Sequence, residues 1–191
     1  MAFGRRKRTT KKNTSKSSGK IKHEKTVVDG ITFDSKMESK YYQYLKAEKK
    51  AGRVIDIVLQ PEYILQPKFF IYEGQVILED NPSYKEYNKK RLAFNKANPD
   101  KKINIIQAIK YRSDFEVTYA DGSKKTIDPK GIKTADFKLK EKMLRFKYPH
   151  IDFMCVILDE KTNTWLEYSE WEAQQKAKKK AKKKAKKAIK K

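Results

Sequence analysis

The chain has 191 residues, 47 basic against 24 acidic side chains and a formal net charge of +23, and that charge is concentrated at its two ends. Residues 1–26 carry ten basic residues and one acid, residues 176–191 carry eleven lysines and no acid, and the 149 residues between them are close to balanced, with 26 basic and 23 acidic side chains. One cysteine excludes an internal disulfide framework, two histidines leave too few ligands for a Cys/His zinc site, and no apolar run approaches the ~18 residues of a membrane span, so the composition predicts a soluble cytoplasmic protein with no membrane partner.

Residues 1–26 are almost free of apolar side chains and cannot offset the entropy of ordering, so this basic arm is predicted to be disordered. A helix is predicted from about Ser35 to Ala51, with Met37, Tyr41, Tyr44 and Leu45 as its apolar positions and Gly52 as its stop. Val54 to Leu59, Tyr63 to Leu65 and Phe69 to Tyr72 are β-branched or aromatic and read as strands punctuated by Pro61 and Pro67. Residues 73–102 are polar and read as an insertion at the sheet edge, with Asn81-Pro82 and Asn98-Pro99 bracketing a helix.

Residues 103–127 read as a strand followed by a hairpin. A second helix follows Gly131, with Thr134 as N-cap, Phe137, Leu144 and Tyr148 on one side, and Pro149 as its end. The nearly continuous apolar run Ile151 to Leu158 suits a strand covered on both faces, and Trp165 to Tyr168 suits an edge strand. The Lys/Ala-rich tail, residues 176–191, has high helix propensity but severe like-charge crowding, which predicts a frayed segment until an anion screens it. The order predicts a mixed α/β domain over residues 27–175, built around one sheet flanked by helices, between two cationic arms suited to polyanions.

The hairpin carries the chemistry. Ala120-Asp121-Gly122 fits a three-residue loop with a left-handed Gly, which places Tyr119 opposite Ser123 and Asp114 opposite Asp128. The two-residue strand period then puts Asp114, Glu116, Thr118, Thr126, Asp128 and Lys130 on one face and Phe115, Val117, Tyr119 and Ile127 on the other, one face for chemistry and one for the core. Two opposed carboxylates repel unless a cation or a proton sits between them, and hard oxygen donors on a rigid hairpin suit Mg²⁺. The same spacing also fits a solvated strand face on which Lys130 simply pairs with the acids.

Ser113-Asp114, a hairpin, and Asp128-Pro129-Lys130 resemble the metal-binding signature of the PD-(D/E)xK nuclease superfamily. The segments from Val28 to Tyr42, Leu59-Gln60-Pro61, Tyr111 to Phe115 and Asp128 to Thr134 resemble a family of small phage-encoded endonucleases of that superfamily, described as Holliday-junction-resolvase-like. The resemblance spans most of residues 28–156, apart from the insertion. It implies a restriction-endonuclease-like fold in which Asp114, Asp128 and the Pro129 carbonyl bind Mg²⁺ or Mn²⁺ and Lys130 positions or activates the attacking water. Glu38 matches an additional family acid at the metal. Ser35-Lys36-Met37-Glu38 is equally a capping box, in which Glu38 closes the helix start. The Pro in the motif suggests an edge or a bulge at that point.

Lys138, Lys142 and Arg145 recur along the second helix as a basic stripe with Lys133 ahead of it, the expected phosphate-contacting surface. Tyr41, Tyr42 and Tyr44 suit either base stacking or the core. The resemblance thus implies a Mg²⁺-dependent DNA endonuclease of the host-cell cytoplasm, with branched DNA as substrate and a homodimer as the working unit. A less structure-selective nuclease and a non-catalytic DNA-binding protein with a nuclease-like core are the alternatives.

Overall fold

A computed structural model describes residues 25–188, with side chains through residue 183. It opens on a hairpin that sequence patterning did not isolate, β1 (Thr26–Val28) and β2 (Ile31–Phe33), turned by Asp29 and Gly30 at φ 53° and 77°. Asp-Gly is the dipeptide that accepts two left-handed positions in succession, so the turn signal was present in the sequence. Helix α1 (Lys36–Lys50) starts where Ser35 accepts from the Glu38 amide and ends ahead of Gly52, at φ 74°.

Next come β3 (Val54–Leu59), β4 (Glu62–Gln66), β5 (Phe69–Tyr72), β6 (Gln75–Leu78), α2 (Tyr84–Ala97), β7 (Ile109–Arg112), β8 (Phe115–Tyr119) and β9 (Lys124–Pro129). The chain continues through α3 (Ala135–Lys147), β10 (Phe153–Asp159), β11 (Thr164–Glu167) and α4 (Tyr168–Ala188). The central sheet has the order β11-β10-β9-β8-β3 and is mixed, with β9 and β10 parallel across the α3 crossover and the other neighbours antiparallel. The fold is therefore the mixed α/β domain expected, a central sheet with helices on its faces.

The sheet is not the only one among the described residues. β4 pairs with β7 and β5 with β6 as separate two-stranded ribbons, so Phe69 to Tyr72 does not extend the central sheet. The polar stretch 73–102 contains β6 as well as the expected helix, and it folds back on β5. Phe70 and Ile77, cross-strand partners there, are buried, and the Arg91 guanidinium lies 5.4 Å from the Phe70 ring and donates to the Ile103 carbonyl.

Two apolar clusters cover the two faces of the sheet. Phe33, Tyr41, Leu45, Val54, Phe115, Val117, Ile127 and Val156 pack between α1 and the sheet. Tyr63, Leu65, Tyr111, Phe137, Leu144, Phe153 and Cys155 pack on the opposite face, beneath α3 and the β4–β7 ribbon. Residues 1–24 of the basic N-terminal arm and residues 189–191 lie outside the described residues. The Lys/Ala-rich run continues α4 as helix through Ala188, following its helix propensity, where charge crowding suggested a frayed segment.

Candidate functional site

The hairpin register predicted from its loop is the one observed. The Tyr119 amide donates to the Ser123 carbonyl at 2.9 Å, Gly122 has φ 82°, and Phe115 faces Ile127 at the end of the ladder. Asp114 and Asp128 lie one step beyond that last pair, at the mouth of the ribbon. Pro129 sits neither at an edge strand nor at a bulge: it is the final residue of a central strand, paired in register with Val156 of β10. The next amide, Lys130, donates to Val156 at 2.8 Å, so the missing N–H of Pro129 falls on the β8 side, past the last rung, where no partner is lost. The Ser113 amide there turns to Pro61 instead, at 3.1 Å.

The expected division into a core face and an open polar face needs correcting. Asp128 is 1% exposed and Thr126 2%, because the β4–β7 ribbon and α3 cover the β9 end of the polar face, while Asp114, Glu116, Thr118 and Lys130 on the same face stay half-buried. A solvated face is thereby ruled out at Asp128, although the pairing of Lys130 with both acids that this reading expected is present. Burying carboxylates this deeply demands partners. Lys130 supplies the main one: its Nζ lies 2.6 Å from Asp128 Oδ1 and 3.4 Å from Asp114 Oδ2. The Tyr111 hydroxyl donates to Asp128 Oδ2. Asp128 Oδ1 is buried and is met by the Lys130 ammonium alone.

The electrostatics follow from this crowding. Burial first, and then the charge of Asp128, hold the Asp114 carboxyl well above the usual carboxylate range, with Lys130 only partly offsetting them. Burial works against the Lys130 ammonium, but Asp128 and Asp114 outweigh it and keep its pKa above the ordinary lysine value. Burial, reinforced by Asp128, likewise raises Tyr111, so the phenol stays a donor. Cys155, in register with Asp128 on β10, is pushed up to about 12, chiefly by burial, and is an unreactive thiol.

Glu38 plays the capping role and faces the site as well. Its Oε1 accepts from the Ser35 hydroxyl at 2.8 Å, its Oε2 accepts from the Asp34 amide at 3.1 Å, and its own amide donates to Ser35 Oγ at 3.2 Å. The side chain also borders two clefts at the end of the sheet. A small one, about 90 Å³, includes Asp114, Leu59 and Gln60; the larger, about 440 Å³, includes Pro129, Lys130, Gly131 and Phe137. Glu38, Asp114, Pro129 and Lys130 thus meet around one mouth, with Asp128 buried behind it. Among the described residues, however, no three His, Cys, Asp or Glu side chains are grouped to hold a metal ion. The reason is visible: Glu38 is turned into its cap, and the Lys130 ammonium stands at the carboxylate pair.

The donor chemistry of that pair nevertheless fits a hard divalent cation. Asp114 and Asp128 offer oxygens side by side, one of them met by the Lys130 ammonium alone, and the raised Asp114 pKa marks a crowding of negative charge that a cation would relieve. Glu38 joins such a set only by giving up its bonds to Ser35 and Asp34.

The basic stripe on α3 divides in two. Lys133 is paired with Glu141 at 3.0 Å and lies over the Phe137 and Tyr168 rings, while Arg145 bonds the same Glu141 and the Phe153 carbonyl. Lys138 and Lys142 are exposed and have no ion pair among the described residues. Tyr41 is core, Tyr42 packs against Phe33, and Tyr44 is 40% exposed.

Sequence reasoning assigned no role to Tyr111 or Ser113, although both lie in the segment quoted for the resemblance. Ser113 is fully buried, its hydroxyl donating to the Ile127 carbonyl at 3.1 Å, which ties the entry of β8 to β9 beside the acids. Their signal was a polar hydroxyl on either side of Arg112, ahead of an acid at the start of a strand. No hairpin register links β7 to β9, so sequence could not place Tyr111 against Asp128.

Residues 18–164 match the model of the family described as "Protein of unknown function (DUF1064)", and the chain belongs to that family. No curated protein and no solved structure matches the chain.

Proposed function

We propose that this family member is a divalent-cation-dependent endodeoxyribonuclease acting on branched DNA, Holliday junctions included. The observation that carries the reading is the Asp114–Asp128 pair, half-buried and fully buried respectively at the mouth of a rigid hairpin, with Lys130 between the two acids. A purely structural site has little use for two desolvated carboxylates side by side, since an apolar pair would be as stable or more so. The resemblance of Ser113-Asp114 and Asp128-Pro129-Lys130 to the PD-(D/E)xK signature points the same way.

Asp114, Asp128 and the Pro129 carbonyl would hold the cation, Mg²⁺ or Mn²⁺, with Glu38 as a further acid. Bound there, it would polarise the scissile phosphate and make the attacking water acidic. Tyr111 fixes the orientation of Asp128 by donating to Oδ2, which leaves Oδ1 turned toward Lys130. Lys130, released from Asp128, carries an ammonium within reach of the same mouth, where it orients water and stabilises the charge building on phosphate oxygens. Lys138 and Lys142, free of ion pairs, would steer the DNA backbone onto this end of the sheet. The cationic ends raise the local DNA concentration in a salt-dependent way. Symmetric cutting of a four-way junction takes two such sites, so the working unit in this reading is a homodimer.

A second reading has its own observation. The Lys130 ammonium already neutralises Asp128, which would suit a non-catalytic DNA-binding protein with an inert nuclease-like core. A cleavage panel separates the two: end-labelled four-way junctions, flaps, duplex and single strands, each with Mg²⁺ or Mn²⁺. The nuclease reading expects cuts that Asp128→Asn abolishes while DNA binding persists. All substrates left uncut by a metal-loaded protein would establish the second reading.

A further inference from the structure

Between α1 and the sheet edge lies a groove of about 660 Å³, within the size range of small-molecule sites, that belongs to neither cleft at the acids. Its floor is Tyr44, Leu158 and Trp165, and Lys40, Gln43 and Asn163 stand around it. Trp165 is held in place: it faces Leu158 across the β10–β11 ladder and packs edge-on against buried Tyr41, ring centroids 4.7 Å apart. Tyr44 lies 6.5 Å from the same indole and is 40% exposed. The floor is therefore a partly open aromatic cleft, its two rings tilted 44° to one another and the indole fixed by Tyr41.

The polar groups around it are uncommitted. Lys40, Gln43 and Asn163 have no side-chain partner among the described residues. Two other α1 lysines do find acids: Lys46 reaches Asp29 and Lys49 reaches Asp56. A solvent-exposed cation and two amides around an aromatic floor suit a flat heteroaromatic base to stack, with donor and acceptor edges for the amides and a phosphate for the ammonium.

We propose that this groove binds an unpaired nucleotide of a DNA strand, its base stacked on Trp165 with Tyr44 at the base's edge and its phosphate at Lys40. The assignment rests on the nuclease reading and names its substrate feature. Tyr44 follows Glu38 by six residues, about 9 Å along the helix axis. β11 lies two strands from β9, about 10 Å across the sheet. A strand cut at the acids would reach the groove within about four nucleotides even at duplex spacing. A flap, or a junction opened by a few base pairs at its branch point, supplies unpaired bases at that distance; an uninterrupted duplex does not.

The test uses the full chain carrying Trp171→Phe, so that Trp165 is the only indole, in EDTA, and at enough salt to suppress the charged ends. Titration with a short oligothymidylate should quench Trp165 emission saturably, and a blunt duplex of equal length should not. Tyr44→Ala and Lys40→Ala, both at exposed positions, should each weaken oligonucleotide binding about tenfold. The proposal is overturned if the oligonucleotide leaves Trp165 emission unchanged, or if both variants bind as tightly as the parent. It is equally overturned if the emission changes with protein concentration alone, which would assign the groove to a second copy of the chain. Because no metal is present, these outcomes are independent of cleavage: a protein that cuts DNA yet shows no quench loses the groove and keeps the acids.

Discussion

Both faces of the β8–β9 ribbon reach full burial, the apolar one along most of its length and the polar one at Thr126 and Asp128, and for opposite reasons. Toward α1, Phe115, Val117 and Ile127 are fully enclosed and gain stability from it. Toward α3, Thr126 and Asp128 are just as inaccessible, and there burial desolvates two acids that only Lys130, Tyr111 and a raised Asp114 pKa make tolerable. One ribbon thus carries a face that holds the fold together and a face the fold must support. The difference shows where chemistry is placed: in burial that costs stability, beside burial that supplies it.

The comparison breaks first at its apolar side. Phe115→Ala should cost about 3–5 kcal/mol, a fall in Tm of roughly 10 °C by calorimetry, and the loss should be the same in EDTA and in Mg²⁺. Removing the cation from the other face should behave differently. Lys130→Met leaves two buried acids uncompensated and should cost about 3 kcal/mol in EDTA, with much of it recovered on adding Mg²⁺. If Mg²⁺ rescues neither variant or both alike, the two faces are not distinct in the way described.

A smaller effect runs in the opposite direction. The folded-state pKa of Asp114 lies above its unfolded value, so the folded protein holds more protons between the two. The stability tied to this group is complete below the ordinary carboxylate pKa of about 4 and declines as pH rises toward the raised folded value. Asp114→Asn should remove that decline and stabilise the metal-free protein by about 1–2 kcal/mol at pH 8, with no gain at pH 4, as read from Tm against pH. The smallest effect belongs to the rim. Ser35→Ala removes the α1 cap and should cost about 1 kcal/mol while cleavage persists; Glu38→Gln, with a similar stability cost, should abolish cleavage if the acid joins the metal.

What sequence made legible was local. The Ala120-Asp121-Gly122 loop set the hairpin register, Ser35 and Thr134 marked helix starts, and the unbroken run after Ile151 marked a strand covered on both sides, because each depends on residues a few positions apart. The cover over the polar face was not legible. It comes from β4 and β7, paired across more than forty residues of intervening chain, and no periodicity within either strand reports what it lies upon. Tyr111 was missed for that reason. The edge expected at Pro129 failed similarly: proline excludes a rung only where one would be made, and the ladder had already ended.

The central claim is that the buried acids form a divalent-cation site. It is tested most directly by calorimetric titration of Mn²⁺ into the protein at pH 7, in two buffers of different ionisation enthalpy. The account predicts binding accompanied by proton release, as the cation takes over from the proton that Asp114 retains, and no binding by Asp128→Asn. Absence of binding in the parent protein, or equal binding by the Asp128→Asn variant, would contradict it.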